Sequence, residues 1–208
     1  MKKTGSNFLV SLVEAFLIGK YMEEIRAAIE KYQPFNEQEE QDKSEMLWQI
    51  DHVKDLLTRK NRNAHFTVSA WIVSPDRKQV LMAYHNIYQS FAWLGGHADG
   101  DADFKHVISK EIQEESGLTD FKFVSDDIFS LEILTVDGHI KRGSYVSSHL
   151  HLNVTYLIEA DPELPIRIKP DENSAIAWIP VDELKNKVNE VWFYNWIYQK
   201  LIDKTKQF

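Results

Sequence analysis

The sequence predicts an α/β (α+β) protein in which a mixed β-sheet is sandwiched between helices and preceded by an N-terminal helical extension. Three observations carry this. Apolar residues recur at helical spacing along residues 1–62. At His65 the period changes to a β-branched and aromatic run typical of strands. Strand-like runs then mix with few, widely separated helices, the pattern of a mixed sheet covered on its faces.

In the extension, Phe8, Leu9, Leu12, Val13, Phe16 and Leu17 recur at helical spacing, and Ile25, Ile29 and Tyr32 continue the stripe. Pro34 breaks it. Asn36 with Glu39 three residues on has the form of a capping box, opening a second helix through about Leu57. Met46, Leu47, Ile50, Val53, Leu56 and Leu57 supply its apolar stripe. Residues 1–62 are therefore expected to form a helical hairpin that packs on the main domain or on a second subunit, which allows a homodimer. The charge run Glu37–Glu45 reads as a solvated face. Residues 63–208 form the second unit.

Strands are expected at His65–Val73, Gln79–Tyr84, Phe91–Leu94, Phe121–Val124, Phe129–Val136, His149–Ala160 and Ile176–Ile179. A helix is expected from about Asp103 to Ser116, stopped by Gly117. A helical turn opens at Val181, and a Trp- and Tyr-rich helix spans Glu190–Lys206.

Composition narrows the function. The chain has 208 residues, 43% hydrophobic and 27% charged, ordinary for one folded domain with an extension. Lys+Arg 24 against Asp+Glu 32 gives a net charge of −8. That balance argues against nucleic-acid polymers and anionic membranes as partners. A small anionic substrate fits if a cation bridges it to the protein. The absence of cysteine excludes a disulfide scaffold, a cysteine zinc site and a thiol nucleophile. Lys2 and Lys3 before the apolar stretch Phe8–Gly19 faintly resemble a signal peptide. Asn7 and Glu14 interrupt that stretch, and no cleavage pattern follows, so a cytoplasmic protein is expected.

The chemistry concentrates between Gly95 and Leu118. At 100° per residue with Val107 at zero, Glu111, Glu114 and Glu115 fall near 40°, −20° and 80°, beside Phe104 and Ile108. Three carboxylates thus continue the stripe that the preceding turn uses for apolar contact. They repel one another and lose hydration there. A hard divalent cation, which takes carboxylate oxygens and bridges to phosphates, relieves both costs. The alternative is a solvated acidic helix end. Gly95 and Gly96 let the backbone approach a metal or phosphate closely. Asp99, Asp101 and Asp103 crowd the helix entrance, as ligands or simply as caps.

The stretch 96–118 resembles a degenerate Nudix box. That motif runs Gly, five residues, Glu, seven residues, then Arg-Glu-aliphatic-x-Glu-Glu-x-Gly-aliphatic. Gly96, Glu111, Ile112, Glu114, Glu115, Gly117 and Leu118 match. Lys110 replaces the Arg, keeping its charge without its bidentate fork. Ala102 replaces the early Glu, and a one-residue shift in the loop would let Asp101 substitute. The likeness covers about residues 63–206, including the segment from Asp171 to Leu184.

The resemblance implies a Mg²⁺-dependent hydrolase (Mn²⁺ as substitute) that cleaves a diphosphate linkage in a nucleoside diphosphate joined to another group. Glu111, Glu114 and Glu115 are its expected metal ligands, with Gly96 and Asp101 beside them. Glu111 doubles as candidate general base, and Glu172 is the second candidate. His97, His149, His151 and Arg142 are candidate substrate contacts, His149 and His151 sharing one sheet face at period two. His65, His85 and His139 carry no pattern, and no spacing suggests a zinc site. Tyr84, Tyr88, Phe91 and Trp93 are candidates to stack on a base, and core packing explains Trp93 as well. Two alternatives stand beside the hydrolase: a Nudix-fold binding or regulatory protein that has lost turnover, and a helical interaction module at 1–62 with the rest as scaffold. The substrate itself does not follow from the sequence.

Overall fold

The computed structural model describes residues 19–141 and 143–208. The apolar run 8–17 and Arg142 lie outside the described residues. Among the described residues, no helix is long and apolar enough to cross a membrane.

A helix described over 19–31 (α1) stops before Pro34, and α2 follows at Glu37–His52. Asn36 caps α2: its side-chain oxygen accepts from the Glu39 backbone N–H at 3.0 Å. The return half of the box is absent, because Glu39 turns inward and accepts from the Phe35 backbone N–H at 2.7 Å. The helix also ends earlier than the stripe implied, since Val53 is extended. Leu56 and Leu57 are nonetheless buried. They reach the core from an irregular segment, where the Leu56 carbonyl accepts from Phe66 N–H and that of Leu57 from Gly100 N–H.

The sheet comprises β1 (Ala64–Val73), β2 (Gln79–His85), β3 (Ser90–Ala92), β4 (Leu94–His97), β5 (Lys122–Phe123), β6 (Ser130–Val136), β9 (His149–Glu159) and β10 (Asn173–Pro180). Its main path runs β10-β2-β1-β9-β5. The β1–β9 pair is parallel and the other pairings are antiparallel, so the sheet is mixed. A separate hairpin, β7 (His139–Lys141) and β8 (Ser144–Val146), was not legible as strands. The expected single strand at 91–94 is two: β3 pairs with β2, and β4 pairs with β1. The helix that carries Glu111, Glu114 and Glu115, α3, spans Phe104–Ser116 and ends on Gly117 at φ 75. The C-terminal helix passes from α4 (Val191–Phe193) through a π-helical turn (Tyr194–Tyr198) into α5 (Gln199–Thr205).

Strand alternation separates two cores. Phe66, Val68, Ala70 and Ile72 of β1 face α3 and the hairpin, sharing one apolar cluster with Val107, Ile112, Ile25, Ile29 and Met46. Trp71 and Val73 face the other way, against Ile197, Tyr198 and Leu201. Trp93 packs at the edge of this second core, 5.6 Å from the Tyr198 ring.

The helical hairpin is joined to the C-terminal helix by buried charge. Glu39 is fully buried, 2.7 Å from Lys204 and 3.1 Å from Lys200, and it also accepts from Tyr32 and Ser130. Lys200 reaches Glu132 at 3.0 Å. The reading of Glu37–Glu45 as a solvated face is therefore corrected at Glu39. A charge buried among this many partners leaves no periodic trace in sequence. Asp42, in the same run, accepts from the Ile133 backbone N–H at 2.8 Å.

Candidate active site

The box begins on β4, whose Gly95 and Gly96 lie opposite Ser69 and Val68 of β1. A Cβ on Gly95 would strike the Val68 carbonyl and Ser69, and one on Gly96 would strike the Glu111 carboxyl. Glycine at 96 lets α3 lay Glu111 against the strand, and glycine at 95 lets β4 approach β1 closely. Gly96→Ala is accordingly expected to displace Glu111, lowering kcat at least about tenfold while costing about 1–3 kcal/mol in stability. Steady-state kinetics and a melting curve on the same preparation check both.

The buried positions of α3 are Phe104, Val107, Ile108, Ile112, Glu115 and Ser116, an i, i+3, i+4 stripe that places an acid in an apolar row. Glu115 is 8% exposed. Its Oε2 accepts from the Gly95 N–H at 3.3 Å. Burial, followed by the nearby charges of Glu111 and Glu172, pushes its carboxyl up to about 8. Burial also raises Glu111, while Lys169 pulls it back. Glu114 is more exposed and is held below the usual carboxylate range by a hydrogen bond from Lys169.

Glu172 joins this group. The loop before β10 is closed by Asn173, whose side-chain oxygen accepts from the Lys169 N–H at 3.0 Å. The Lys169 carbonyl accepts in turn from the N–H groups of Glu172 and Asn173. Lys169 Nζ then stands 3.2 Å from both Glu114 and Glu172. Four carboxyl groups thus gather on this side of α3, two of them paired with Lys169. Sequence reasoning did not single out Lys169, a polar loop residue before Pro170 whose place depends on how the loop folds back to α3.

The structure does not bring the other candidates to this cluster. Asp101 is taken by His106 Nδ1 at 2.7 Å and by the Asp103 N–H at 2.9 Å, at the α3 entrance. The helical rise from Asp103 to Glu111 is about 12 Å, and Asp101 sits at the opposite end of α3 from the helix acids. Ala102 packs against the core. Lys110 makes only an i,i+4 pair with Glu114 at 3.6 Å. His97 is paired with Thr67 in register, and His151 with His65. All lie on the Trp71 side of the sheet, whereas Glu111 lies against Gly96 on the opposite side. His149 and His151 do share one face, as their spacing implies, but it is the face away from α3.

The NUDIX domain family model matches residues 63–199, about two thirds of the chain. No curated protein matches the sequence. Among solved structures, a MutT protein from Methanosarcina mazei Go1 superposes with a TM-score of 0.54 at 12% identity, covering 70% of this chain and 98% of that one. A NUDIX-family hydrolase from Clostridium perfringens shares 22% identity at a TM-score of 0.46, covering 69% and 97%. A C. elegans Ap4A hydrolase shares 14% at 0.49, covering 68% and 95%. Identities this low speak to the fold alone, and the first of the three agrees with the mixed sheet and helices described above. The family match spans the Gly-Gly turn, the carboxylate-bearing helix and the closing β10 segment, and the chain belongs to the Nudix family of pyrophosphohydrolases.

Proposed function

We propose that this chain hydrolyses a diphosphate linkage in a nucleoside diphosphate joined to another group, with Mg²⁺ held by Glu111, Glu114 and Glu115 and with Mn²⁺ as a substitute. The observation that carries the reading is Glu115, a buried carboxyl beside two further acids, with its proton affinity raised so far that its charge needs a positive partner to persist. The donor set fits a hard cation, because it is made of carboxylate oxygens with backbone close by at Gly95 and Gly96. When bound, such a cation neutralises phosphate oxygens and lowers the pKa of a water molecule.

The remaining roles belong to the chain's own side chains. Glu115 is the innermost ligand, fixed by Gly95. Glu111 lies against Gly96 and has a raised proton affinity, which suits it to accept a proton from the attacking water. Glu172 is the second candidate base, held on the same side by Lys169. Lys169 keeps Glu114 and Glu172 from splaying apart and adds a positive charge next to where substrate phosphates would sit. The pH–rate profile separates the two bases: the variant of the true base, Glu111→Gln or Glu172→Gln, loses the acidic limb, and the other keeps it.

The competing reading, a Nudix-fold binding or regulatory protein without turnover, draws on Ala102, Lys110 and the diversion of Asp101 to His106. Phosphate and nucleotide release, assayed with Mg²⁺ across nucleoside triphosphates, nucleotide sugars and dinucleoside polyphosphates, decides between them. Mg²⁺-dependent release from at least one class supports hydrolysis. Binding with no release from any class supports the alternative.

A further inference from the structure

Four histidines that sequence spacing leaves unrelated converge on the side of the sheet away from α3. His65 lies on β1, His97 on β4, and His149 and His151 on β9. Register explains the meeting: His65 is directly opposite His151, His97 is opposite Thr67 two residues along β1, and His149 precedes His151 by one side-chain period. One ring nitrogen from each lies within 4.8 Å of the others. His65 is buried and the other three are half-buried.

The hydrogen bonds around these rings set which nitrogen is free. His65 Nδ1 lies 3.0 Å from the Asn61 carbonyl, and His149 Nδ1 lies 2.8 Å from the Ser147 carbonyl. A carbonyl can only accept, so each Nδ1 carries the proton and each Nε2 presents a lone pair in the neutral ring. His65 Nε2 is buried with no hydrogen-bond partner. An orphaned buried acceptor needs a positive group or a donor to offset its lost hydration. His149 Nε2 stands 3.2 Å from His151 Nε2. Four nitrogens at about 2.0–2.1 Å from a tetrahedral ion lie about 3.3–3.4 Å apart, so this edge already has the required length. Backbone carbonyls that accept from the second ring nitrogen are the usual support of metal-binding histidines.

We propose that His65, His97, His149 and His151 form a second metal site, closed and nitrogen-ligated, for a borderline divalent transition ion, Zn²⁺ foremost. Four imidazoles suit Zn²⁺ and its neighbours rather than Mg²⁺, which prefers oxygen. The ion ties together β1, β4 and β9 beneath the Gly-Gly turn, a structural role that closed four-ligand sites serve. An open hollow of about 570 Å³ is bordered by Asn61 and Ser147, whose carbonyls hold the His65 and His149 rings.

The full chain, stripped with EDTA and exchanged into metal-free buffer, is titrated with Zn²⁺ by thermal denaturation and with Co²⁺ by visible absorption. The expected result is one tight equivalent that raises Tm, with the intense visible bands of a four-coordinate cobalt ion. Glu115→Gln leaves both signals in place, which keeps this site distinct from the carboxylate site. His149→Gln and His65→Gln each weaken binding by more than the roughly 10–100-fold typical of an outer-shell change. His149 is only half-buried, so its metal-free Tm serves as the check on folding, and the cobalt spectrum of the unaltered chain needs no variant. Absence of tight binding, the weak spectrum of six-coordinate cobalt, or loss of the signal in Glu115→Gln with retention in both histidine variants overturns the proposal.

Discussion

Glu115→Gln is expected to remove turnover and to leave the fold intact. In the metal-free protein the Glu115 carboxyl, pushed up to about 8 by burial and by Glu111 and Glu172, is mostly protonated at pH 7. Glutamine matches that neutral form in shape, and its amide oxygen can still accept from Gly95 N–H. Stability at pH 7 therefore changes by less than about 1 kcal/mol. In the active form the side chain must be anionic, which glutamine cannot be. A loss of several kcal/mol of charge stabilisation at the reacting centre corresponds to about 10³-fold or more in kcat. Rates at saturating Mg²⁺, with melting curves in EDTA, check both halves, and turnover within tenfold of the unaltered chain would remove Glu115 from the mechanism.

The same residue sets a slope in stability against pH. Its carboxyl binds a proton more tightly in the folded chain than at its ordinary value of 4.5 in the unfolded one. The stabilisation is complete below about 4.5 and is lost as pH rises through about 8, because the unfolded state then binds fewer protons than the folded state. Glu115→Gln flattens this part of the Tm profile.

Glu39→Gln is expected to be the most destabilising conservative change in the helical hairpin. The substitution strips a fully buried anion from contact with Lys204 at 2.7 Å and Lys200 at 3.1 Å. Breaking a buried pair while leaving its partners charged costs about 3–5 kcal/mol. Here two ammonium groups lose their closest shared partner, although Lys200 keeps Glu132. Removing Lys204 as well, in Glu39→Gln with Lys204→Met, costs less than the sum of the single changes, because one stranded charge is gone. Burial pushes the Glu39 carboxyl up, but Lys200 and Lys204 outweigh it and hold it down at about 2. Its contribution is thus present above about 4.5 and is lost as pH falls through about 2, a loss absent from Glu39→Gln. Urea unfolding at pH 7 and near pH 3 measures both effects; equal stability of the two chains at pH 7 would mean that the buried network contributes nothing.

This network bears on the proposed division of the chain. Ile25, Ile29, Met46, Leu56 and Leu57 share a core with β1 and α3. Deletion of residues 1–62 therefore uncovers that apolar face together with Lys200 and Lys204, and aggregation is the expected outcome. A soluble, fully active remainder would instead make the extension a separable module.

What the sequence showed and what it hid follow from distance along the chain. The box helix was legible because its buried stripe, its acids and its Gly117 stop are all local and periodic, and the structure ends α3 where Gly117 adopts a positive φ. The parallel β1–β9 pairing was invisible, since roughly 75 residues separate the end of β1 at Val73 from the start of β9 at His149. With that pairing hidden, the meeting of His65 with His151 was hidden too. Lys169 and the inward turn of Glu39 were missed for the same reason: each is fixed by a partner far along the chain, Glu114 in one case and Lys204 in the other. His97 and His151 lie on the sheet face away from the α3 acids, because period-two alternation at Gly96 and His97 sends one position toward α3 and the next away from it.

The central claim is that the acids of α3 hold a hard cation against a bound diphosphate. Crystals grown with Mn²⁺ and a non-hydrolysable dinucleotide analogue, examined by anomalous diffraction, test it most directly. The account predicts manganese bonded to the carboxylates of Glu111 and Glu115 and bridged to the analogue's phosphates. Bound analogue with no manganese at those carboxylates would contradict it.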